Sequence, residues 1–464
     1  MKYQNDKIGY CFLVSNETRD YFLLLPIIYY LEKYEGFKIS FEFIWDAHKI
    51  RKNPPDLVIL PNVRGQLLYY EVAKYCHENA IPVYHNDSEG NFNTEIDYDF
   101  WAYNASKKYY ANYLFTWNRL VKKFLLDKYP LKEEEVKITG AVGFDKYQYL
   151  PKANREKLLK KYNKAHFKKV VGYAGWAFGK LFNPEINDVL SNINKPGEAG
   201  KIWLAEQRDQ VEACLKSVIE KYPDILFILK KHPRENFESD FRDSRNEMNQ
   251  LLHFPNVLYL KDEEEIQDLI GISDLWMAFE STSIMEAWLM QVPTLMINPD
   301  PNFHRVNLYK GSMLVHHKEA LLNIFQEIFE ANDSSKLFAN EILTKRTEII
   351  QDAIGYADGF NHLRCLFFLR EGLQSTFNSK KKPKLNWRFL RLYGLLHFGK
   401  YFYHYSLFKS IPKLKKTVWV FENYQLSEIN HKKKLHYPYL DQFYQSKDLD
   451  QQIKSQEIWG KIEW

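Results

Sequence analysis

Two clusters of polar residues in the second half of the chain carry side chains that can bind phosphate. One cluster, at 231–234, follows the apolar run 225–229, and the other, at 281–283, follows the apolar run 275–279. Short apolar runs of this kind are typical of buried strands. Ligands of open α/β sheets bind outside the carboxyl ends of the strands, and a helix that begins there can bind a phosphate through its free N–H groups. The two clusters therefore predict a site for a nucleotide-activated sugar.

The residue types within these clusters suggest individual roles. Pro233 disfavours helical geometry at His232 and so presents its imidazole on an extended loop. There the imidazole, with Lys231 or Arg234 beside it, could hold or stabilise a departing phosphate. The three hydroxyls could also serve as helix N-caps, and Glu286 could bind a ribose or be the N3 acid of a capping box. The predicted donor-binding residues are Lys231, His232, Pro233, Arg234, Ser281, Thr282, Ser283, Glu286 and, from the glycine-containing segment 172–179, Gly175.

The first half of the chain offers acids at the end of another predicted strand. Residues 85–91 read His-Asn-Asp-Ser-Glu-Gly-Asn. A carboxylate opposite the nucleotide is where a general base for an acceptor hydroxyl belongs, and Glu89 is the first choice and Asp87 the second. Because Asp, Asn, Ser and Gly also form common turns, an ordinary turn is the alternative. The predicted catalytic residues are Glu89, Asp87 and His232, and the predicted acceptor-binding residues are Asn16, Glu17 and Arg19.

The hydrophobic pattern supplies a scaffold of alternating strands and helices for these residues. Strands are predicted at 7–14, 37–45, 57–60, 82–85, 113–116, 136–139, 170–173, 225–229, 257–260, 275–279 and 294–297. Helices are predicted at 21–33, 67–80, 119–129, 202–221, 264–272 and 284–290. Such alternation implies parallel sheets. We therefore expect an α/β protein with two Rossmann-like domains facing across a cleft: an acceptor domain at 1–150, a donor domain at 151–375, and a basic aromatic C-terminal extension at 376–464.

The excess positive charge of the chain is concentrated in the C-terminal extension. The formal net charge is +5, yet residues 380–416 contain nine lysines, two arginines and no acid. A helix predicted at 387–408 mixes aromatic and basic residues. It could pack on the body of the protein, bind the anionic inner face of a membrane, or bind nucleic acid. Since no recognisable nucleic-acid motif accompanies it, no nucleic-acid partner is predicted.

The cysteines and the apolar runs indicate in which cellular compartment the protein works. Cys11, Cys76, Cys214 and Cys365 form no CxxC pair, which favours a reducing cytoplasm. The longest apolar run, at 21–31, is shorter than the ~20 residues that a membrane span needs. We expect a cytoplasmic protein, peripheral at the inner face of the membrane if the extension binds lipid.

With these motifs placed, the chain resembles bacterial surface-carbohydrate glycosyltransferases with two Rossmann-like domains (GT-B type) over roughly residues 8–370. Residues 87–90 are similar to the acidic-acidic-glycine motif of sialyl- and Kdo-transferase-like enzymes, whose acid is the base, although Ser88 stands at an acidic position of that motif. Residues 231–233 are similar to their His-Pro motif, which contacts the phosphate of a CMP-sugar, and residues 281–283 with Glu286 to their hydroxyl motif. Residues 137–145 resemble the TG-x-x-x-FD end of the N-terminal domain in capsule and lipopolysaccharide proteins.

The predicted function is transfer of a sugar from a nucleotide-activated donor, with a CMP-sugar such as Kdo or sialic acid favoured and UDP-, GDP- or dTDP-sugars possible, to a hydroxyl of a surface polysaccharide or lipopolysaccharide. The alternatives are glycerophosphate transfer from CDP-glycerol, nucleotide-sugar epimerisation, and binding of glycan without catalysis. Motifs for zinc hydrolysis and Walker-type phosphoryl transfer are missing from the sequence. Neither a cofactor nor a metal is predicted for the reaction.

Overall fold

The computed structural model describes residues 7–13, 18–61, 67–88, 90, 109–178, 197–232, 246–261, 263–303, 305–376, 383–402, 405 and 426–462. Its strands are β1 (Lys7–Leu13), β2 (Phe37–Phe43), β3 (Leu57–Leu60), β4 (Val83–Asn86), β5 (Tyr113–Thr116), β6 (Val136–Ile138), β7 (Lys169–Ala174), β8 (Ile225–Lys230), β9 (Val257–Leu260), β10 (Leu275–Ala278), β11 (Thr294–Ile297) and β12 (Met313–Val315).

The helices surround these strands. They are α1 (Thr18–Tyr34), α2 (Lys49–Lys52), α3 (Leu67–Glu78), α4 (Arg119–Lys128), α5 (Lys146–Tyr149), α6 (Arg155–Lys161), α7 (Gly197–Lys221), α8 (Ile266–Gly271), α9 (Ser283–Leu289), α10 (Lys318–Phe325), α11 (Asn340–Ile354), α12 (Asn361–Thr376), α13 (Trp387–Phe402), α14 (Leu426–Ser446), α15 (Leu449–Ser455) and α16 (Ile458–Lys461). Within the described parts of the chain, no helix combines the length and the apolarity that crossing a membrane requires.

The described strands form two parallel six-stranded sheets. The first has the order β2-β1-β3-β4-β5-β6 and the second the order β12-β11-β10-β7-β8-β9. The predicted α/β class with two Rossmann-like sheets is thus confirmed, and each predicted strand is present with ends within two residues. The sequence patterns missed β12, which is three residues long and only partly buried.

The chain divides into two compact units. Met1–Leu150 and Asp352–Trp464 form the first unit, and Pro151–Gln351 forms the second. Residues 352–375, which the sequence assigns to the donor domain, pack with the first unit. The first unit contains the first sheet and the second unit the second sheet.

Burial on both faces explains the uninterrupted apolar runs. β3 and β8 are buried along their whole length, as expected for parallel strands covered by helices on both sides. The leucines, isoleucines and aromatic residues between 21 and 31 in α1 are at most 3% exposed. The reason is that α1 packs against β2, α12 and α14. In its contact with α14, the Tyr29 hydroxyl donates to Asp441 at 2.5 Å, and the Tyr21 hydroxyl lies 3.0 Å from Nδ1 of His436.

The TG-x-x-x-FD segment at 139–145 anchors the returning chain to the first unit. The Asp145 carboxylate, which is fully buried, accepts hydrogen bonds from Asn361 Nδ2 (2.8 Å) and from the backbone N–H of His362 (2.9 Å), and lies 2.8 Å from His362 Nδ1. Nε2 of His362 lies 2.9 Å from the Tyr444 hydroxyl of α14. Gly140 has a φ of +82°, and a Cβ there would come within 1.9 Å of the Asn361 side-chain oxygen. The segment 139–145 therefore holds α12 and α14 in position through these buried contacts.

An ion pair stabilises the first turns of α12. The Arg364 guanidinium contacts both carboxylate oxygens of Asp358, at 3.0 and 2.7 Å, and lies over the Tyr356 ring at 3.6 Å from its centroid. Burial alone would raise the pKa of Asp358, but the adjacent guanidinium holds that pKa below its usual value. The carboxylate is therefore the form that the folded state favours.

Candidate functional site

The second sheet has its topological switch point between β7 and β10. From β7 the chain proceeds to β8 and β9 on one side, and then returns to place β10, β11 and β12 on the other. In sheets of this kind the crevice outside the carboxyl ends at the switch point is the usual ligand site. Ala174, the last residue of β7, is in register with Ala278 of β10 and with Lys230 of β8. The segments that follow these three strands therefore leave the sheet at one edge.

The predicted imidazole and hydroxyls both belong to this edge. His232 comes two residues after β8, and Thr282 four residues after β10. Adjacent strands lie about 4.8 Å apart, so the ends of β8 and β10 are separated by about 10 Å. Lys231 and His232 are half-buried, whereas Pro233 and Arg234 lie outside the described residues. The fold thus brings the two clusters to one edge, and their roles in binding stay predictions.

The three hydroxyls differ in their surroundings. Ser283 is 4% exposed, and its hydroxyl accepts a hydrogen bond from Trp276 Nε1 at 3.1 Å and contacts the Ser281 hydroxyl at 3.0 Å. Thr282 is the N-cap residue of α9 but has helical backbone angles and forms no side-chain cap. Ser281 and Thr282 remain half-buried. Ser283 therefore fastens the start of α9 to the core, and the other two hydroxyls are nearer to solvent.

The structure distinguishes the two interpretations of Glu286. A capping-box acid stands three residues after the N-cap, but Glu286 stands four residues after Thr282. The Thr282 side chain forms no cap, and the backbone N–H of Ser283 donates instead to the Ser281 hydroxyl at 3.4 Å. Glu286 is thus not a capping-box acid here, and its half-buried carboxylate stays a candidate for a ribose contact.

Gly175 lies against a buried acid that the sequence did not single out. A Cβ on Gly175 would come within 1.7 Å of Glu247 Oε1. The same oxygen accepts a hydrogen bond from the Tyr173 hydroxyl at 2.8 Å, and Glu247 is fully inaccessible to solvent. Gly175 is therefore required for close packing at the end of β7. Glu247 was missed because it belongs to no motif and comes long after the strand that it contacts.

Glu280 is a second acid that sequence analysis missed. It follows β10 with a φ of +46°, a left-handed conformation that costs a non-glycine residue roughly 1–2 kcal/mol. Its Oε1 lies 2.8 Å from Arg305 Nε and accepts from the Tyr309 hydroxyl at 3.1 Å. The Arg305 Nε–H has no hydrogen-bond geometry toward that oxygen, so the contact is an ion pair. Burial, reinforced by Glu280, raises the pKa of Tyr309 well above its usual value.

The acids predicted for the first unit lie at the end of β4. Asp87 is 1% exposed, and its Oδ1 lies 3.6 Å from Nε2 of the buried His85. Trp117 Nε1 donates to the Asp87 carbonyl at 2.7 Å. A Cβ on Gly90 would come within 2.6 Å of the Trp117 ring, so Gly90 is required by close packing. Of the other predicted residues, Glu89, Asn16 and Glu17 lie outside the described residues, as does the side chain of Arg19.

Among the described residues, the basic aromatic helix α13 packs on the rest of the first unit through one face. Phe389 stacks on Tyr75 of α3 with 3.9 Å between ring centroids, and the Tyr393 hydroxyl donates to the Leu68 carbonyl. Arg388 contacts Glu71 at 2.7 Å. The other face exposes large apolar or aromatic side chains, namely Trp387 (75%), Leu395 (63%), Phe398 (59%) and Tyr401 (58%). The helix therefore packs on the body and also presents an exposed aromatic surface.

Comparison with known proteins identifies the fold. No protein-family model matches the chain, and no curated protein does so significantly. Among solved structures, a protein assigned as a UDP-N-acetylglucosamine 2-epimerase from Listeria monocytogenes is 15% identical, with a TM-score of 0.52 over 82% of this chain and 99% of that one. S. aureus MnaA, solved with UDP, is 14% identical, with a TM-score of 0.51 over 82% of this chain and 100% of that one. At these identities the likeness concerns the fold alone, and the chain has the GT-B fold of two Rossmann-like sheets.

Proposed function

We propose that the chain is a glycosyltransferase that moves a sugar from a nucleotide-activated donor to a hydroxyl of a surface glycan. The observation that carries the proposal is the convergence of polar residues at the carboxyl ends of β8, β7 and β10, at the switch point of the second sheet. This edge is where the fold favours binding of a nucleotide. The residue types there suit a charged phosphate and a ribose.

In this proposal the second unit holds the donor. His232 and Lys231 bind the phosphate of the leaving nucleotide, because an imidazole and an ammonium can stabilise the negative charge that develops on it. Thr282 and Ser281 add hydroxyl contacts, and Glu286 accepts hydrogen bonds from the ribose. Ser283 contributes by holding the start of α9 through Trp276. This set needs no metal to neutralise the leaving group.

The first unit is proposed to provide the base for the acceptor. The acidic motif at 87–90 makes Glu89 the first choice for this base and Asp87 the second. A base must reach the acceptor hydroxyl, but Asp87 is completely buried beside His85. Its burial therefore favours Glu89 as the base and a positioning role for Asp87. Asn16, Glu17 and Arg19 are proposed acceptor contacts because they follow the end of β1.

The identity of the donor can be measured directly. Thermal shift with CMP-sugars, UDP-sugars and CDP-glycerol should single out one nucleotide, because a ligand that binds only the folded state raises Tm. His232→Ala should weaken binding of that nucleotide by roughly 10- to 100-fold, the value of a charge-assisted hydrogen bond. Thr282→Ala should weaken it by about fivefold, whereas Thr344→Ala, on the exposed side of α11, is the matched control and should leave it unchanged. Equal affinity in all four proteins would refute the donor site.

Epimerisation of a nucleotide sugar is the second candidate function. Support for it comes from the structural similarity to proteins described as UDP-N-acetylglucosamine 2-epimerases. An epimerase converts the nucleotide sugar without an acceptor, whereas a transferase releases nucleotide and forms a glycoside. NMR of the products with and without a glycan acceptor separates the two. Formation of an epimer alone, with no glycoside and no free nucleotide, would refute transfer.

We also propose that α13 holds the protein against an anionic lipid surface. Its exposed aromatic face and the acid-free segment 380–416 combine the apolar and positive character that such surfaces attract. The protein should sediment with vesicles that contain anionic lipid and not with neutral vesicles. Phe398→Ser should weaken this binding, whereas Leu252→Ser, at an exposed apolar residue of the second unit, should not. Equal binding to neutral vesicles, or no effect of Phe398→Ser, would contradict the proposal.

A further inference from the structure

Three potential metal ligands from two distant segments of the chain meet near the end of β2. Asp46 belongs to the 3₁₀ turn Ile44–Asp46 that follows β2, His48 directly precedes α2, and His397 lies on α13. One ligand atom from each residue can be chosen so that all three lie within 4.8 Å of one another. Sequence analysis does not single out this cluster, because His397 is about 350 residues from the other two.

The contacts inside the cluster are close. His397 Nδ1 lies 2.6 Å from Asp46 Oδ1, and the rings of His48 and His397 are 4.3 Å apart at their centroids. The Asp46 side chain is 3% exposed and that of His397 is 31% exposed. A carboxylate buried to this extent favours a cationic partner.

One ring nitrogen of His48 lacks a well-formed hydrogen bond. Its buried Nδ1 has no hydrogen bond of good geometry among the described residues, although the imidazole interacts with the Trp45 carbonyl as a hydrogen-bond acceptor. Buried polar atoms are rarely left without a partner, and such an atom calls for an explanation such as a bound ion or water. A cation held jointly with His397 and Asp46 would satisfy this nitrogen.

The ligand set indicates the class of ion. Two imidazole nitrogens and one carboxylate oxygen suit divalent transition ions such as Zn²⁺ and Co²⁺, whereas Mg²⁺ and Ca²⁺ prefer oxygen ligands throughout. Bonds of about 2.0–2.1 Å in a tetrahedral site place ligand atoms about 3.3 Å apart. The Asp46–His397 contact is shorter, so an ion would replace the shared proton and separate these two atoms by several tenths of an ångström. Water would complete the coordination.

We propose that Asp46, His48 and His397 form a binding site for a divalent transition ion, which fastens α13 to the N-terminal part of the first unit. The site joins the turn after the edge strand β2 to the helix that carries the exposed aromatic face. Its role is to fix the position of α13. No step of the proposed sugar transfer passes through this ion.

The first test uses the full-length protein after removal of metals with a chelator. Zn²⁺ should bind with a stoichiometry of one in calorimetry, and Co²⁺ should give the ligand-field absorption of a four- or five-coordinate site. X-ray absorption of the Zn²⁺ form should show nitrogen and oxygen ligands that include two imidazoles. Failure to bind either ion, or a coordination shell without imidazole, would overturn the proposal without the need for any variant.

Variants then assign the ligands. His48→Gln and His397→Gln should each weaken Zn²⁺ binding by at least tenfold, and Asp46→Asn should do the same. His431→Gln removes an exposed histidine of α14 and is the matched control, which should bind as the parent does. Zn²⁺ should slow hydrogen–deuterium exchange in 387–402 of the parent and of the His431 variant but not of the His48 variant. Parent-like affinity in both the His48 and His397 variants, or unchanged exchange of α13 upon addition of Zn²⁺, would contradict the assignment.

Discussion

Replacing Glu280 by Gln should destabilise the second unit by about 2–4 kcal/mol. The substitution keeps the shape of the side chain and its ability to accept from Tyr309, but removes the charge that faces Arg305. Breaking one side of a buried ion pair costs about 3–5 kcal/mol, and an exposed pair contributes at most about 1 kcal/mol. The side chains of Glu280 and Arg305 are 10% and 15% exposed, so the cost should lie near the buried end of this range.

A double-mutant cycle isolates the ion pair from other effects of the substitution. Arg305→Met removes the cation while retaining much of the side-chain volume. Each single variant leaves one charge poorly compensated, whereas the double variant leaves none, so its cost should be smaller than the sum of the single costs by at least about 1 kcal/mol. Costs that add within about 0.5 kcal/mol would refute the ion pair as a stabilising contact.

The left-handed backbone at Glu280 leads to a separate prediction, in which a glycine variant is more stable than an alanine variant. Glu280→Gly and Glu280→Ala both lose the ion pair, but only Ala has to adopt a φ of +46° with a Cβ. The steric cost of roughly 1–2 kcal/mol exceeds the extra entropy of glycine in the unfolded chain, about 0.5–1 kcal/mol. The Gly variant should therefore be the more stable of the two by about 0.5–1 kcal/mol.

Urea unfolding followed by circular dichroism gives the free energies, and hydrogen–deuterium exchange in 275–289 shows whether the loss is local to β10 and α9. The Glu280→Gln variant should exchange faster in this segment than the parent protein. An Ala variant more stable than the Gly variant would show that the positive φ is not strained.

Residues of the first unit lead to further predictions. Gly140→Ala should lower Tm by several degrees because its Cβ would collide with the neighbouring Asn side chain at φ +82°, whereas Gly394→Ala, with open space around it in the helix α13, should raise stability by about 0.5–1 kcal/mol. Tyr444→Phe should cost about 1–3 kcal/mol in urea unfolding because it leaves Nε2 of the buried His362 without its partner. Since the folded-state pKa of Asp358 is lowered, its contribution to stability is present above about pH 4 and is lost as the pH falls through the folded value; Asp358→Asn should flatten that part of the pH profile of unfolding.

Much of the fold could be predicted because its signal is local. Parallel strands buried on both faces appear as short apolar runs, and the polar turns between them mark their ends. β3, β5, β9 and β11 begin and end where the sequence pattern places them. The order of the strands in a sheet is not a local property. In the second sheet, for example, β10 could follow β9 on the same side of β7, but it lies on the opposite side.

The returning C-terminal part shows a second limit of local patterns. The apolar run at 21–31 predicts a buried helix, but not that α14, more than 400 residues later, packs against it. The contacts between the two helices include the hydrogen bond from the Tyr29 hydroxyl to Asp441 and ring contacts such as that of Tyr29 with Tyr444. Their sequence neighbours do not distinguish them from solvent-exposed residues.

The three hydroxyls at 281–283 show how the structure separates residues that their types alone leave equivalent. Three successive hydroxyls exceed the needs of a helix cap, which is why the sequence suggests phosphate binding by all of them. The structure uses one of the three for the core: Ser283 satisfies the buried indole N–H of Trp276, which would otherwise be costly. We therefore expect Ser281 and Thr282, together with His232, to bind the phosphate. Loss of Ser283 should consequently act through stability, whereas loss of Thr282 should act through nucleotide affinity.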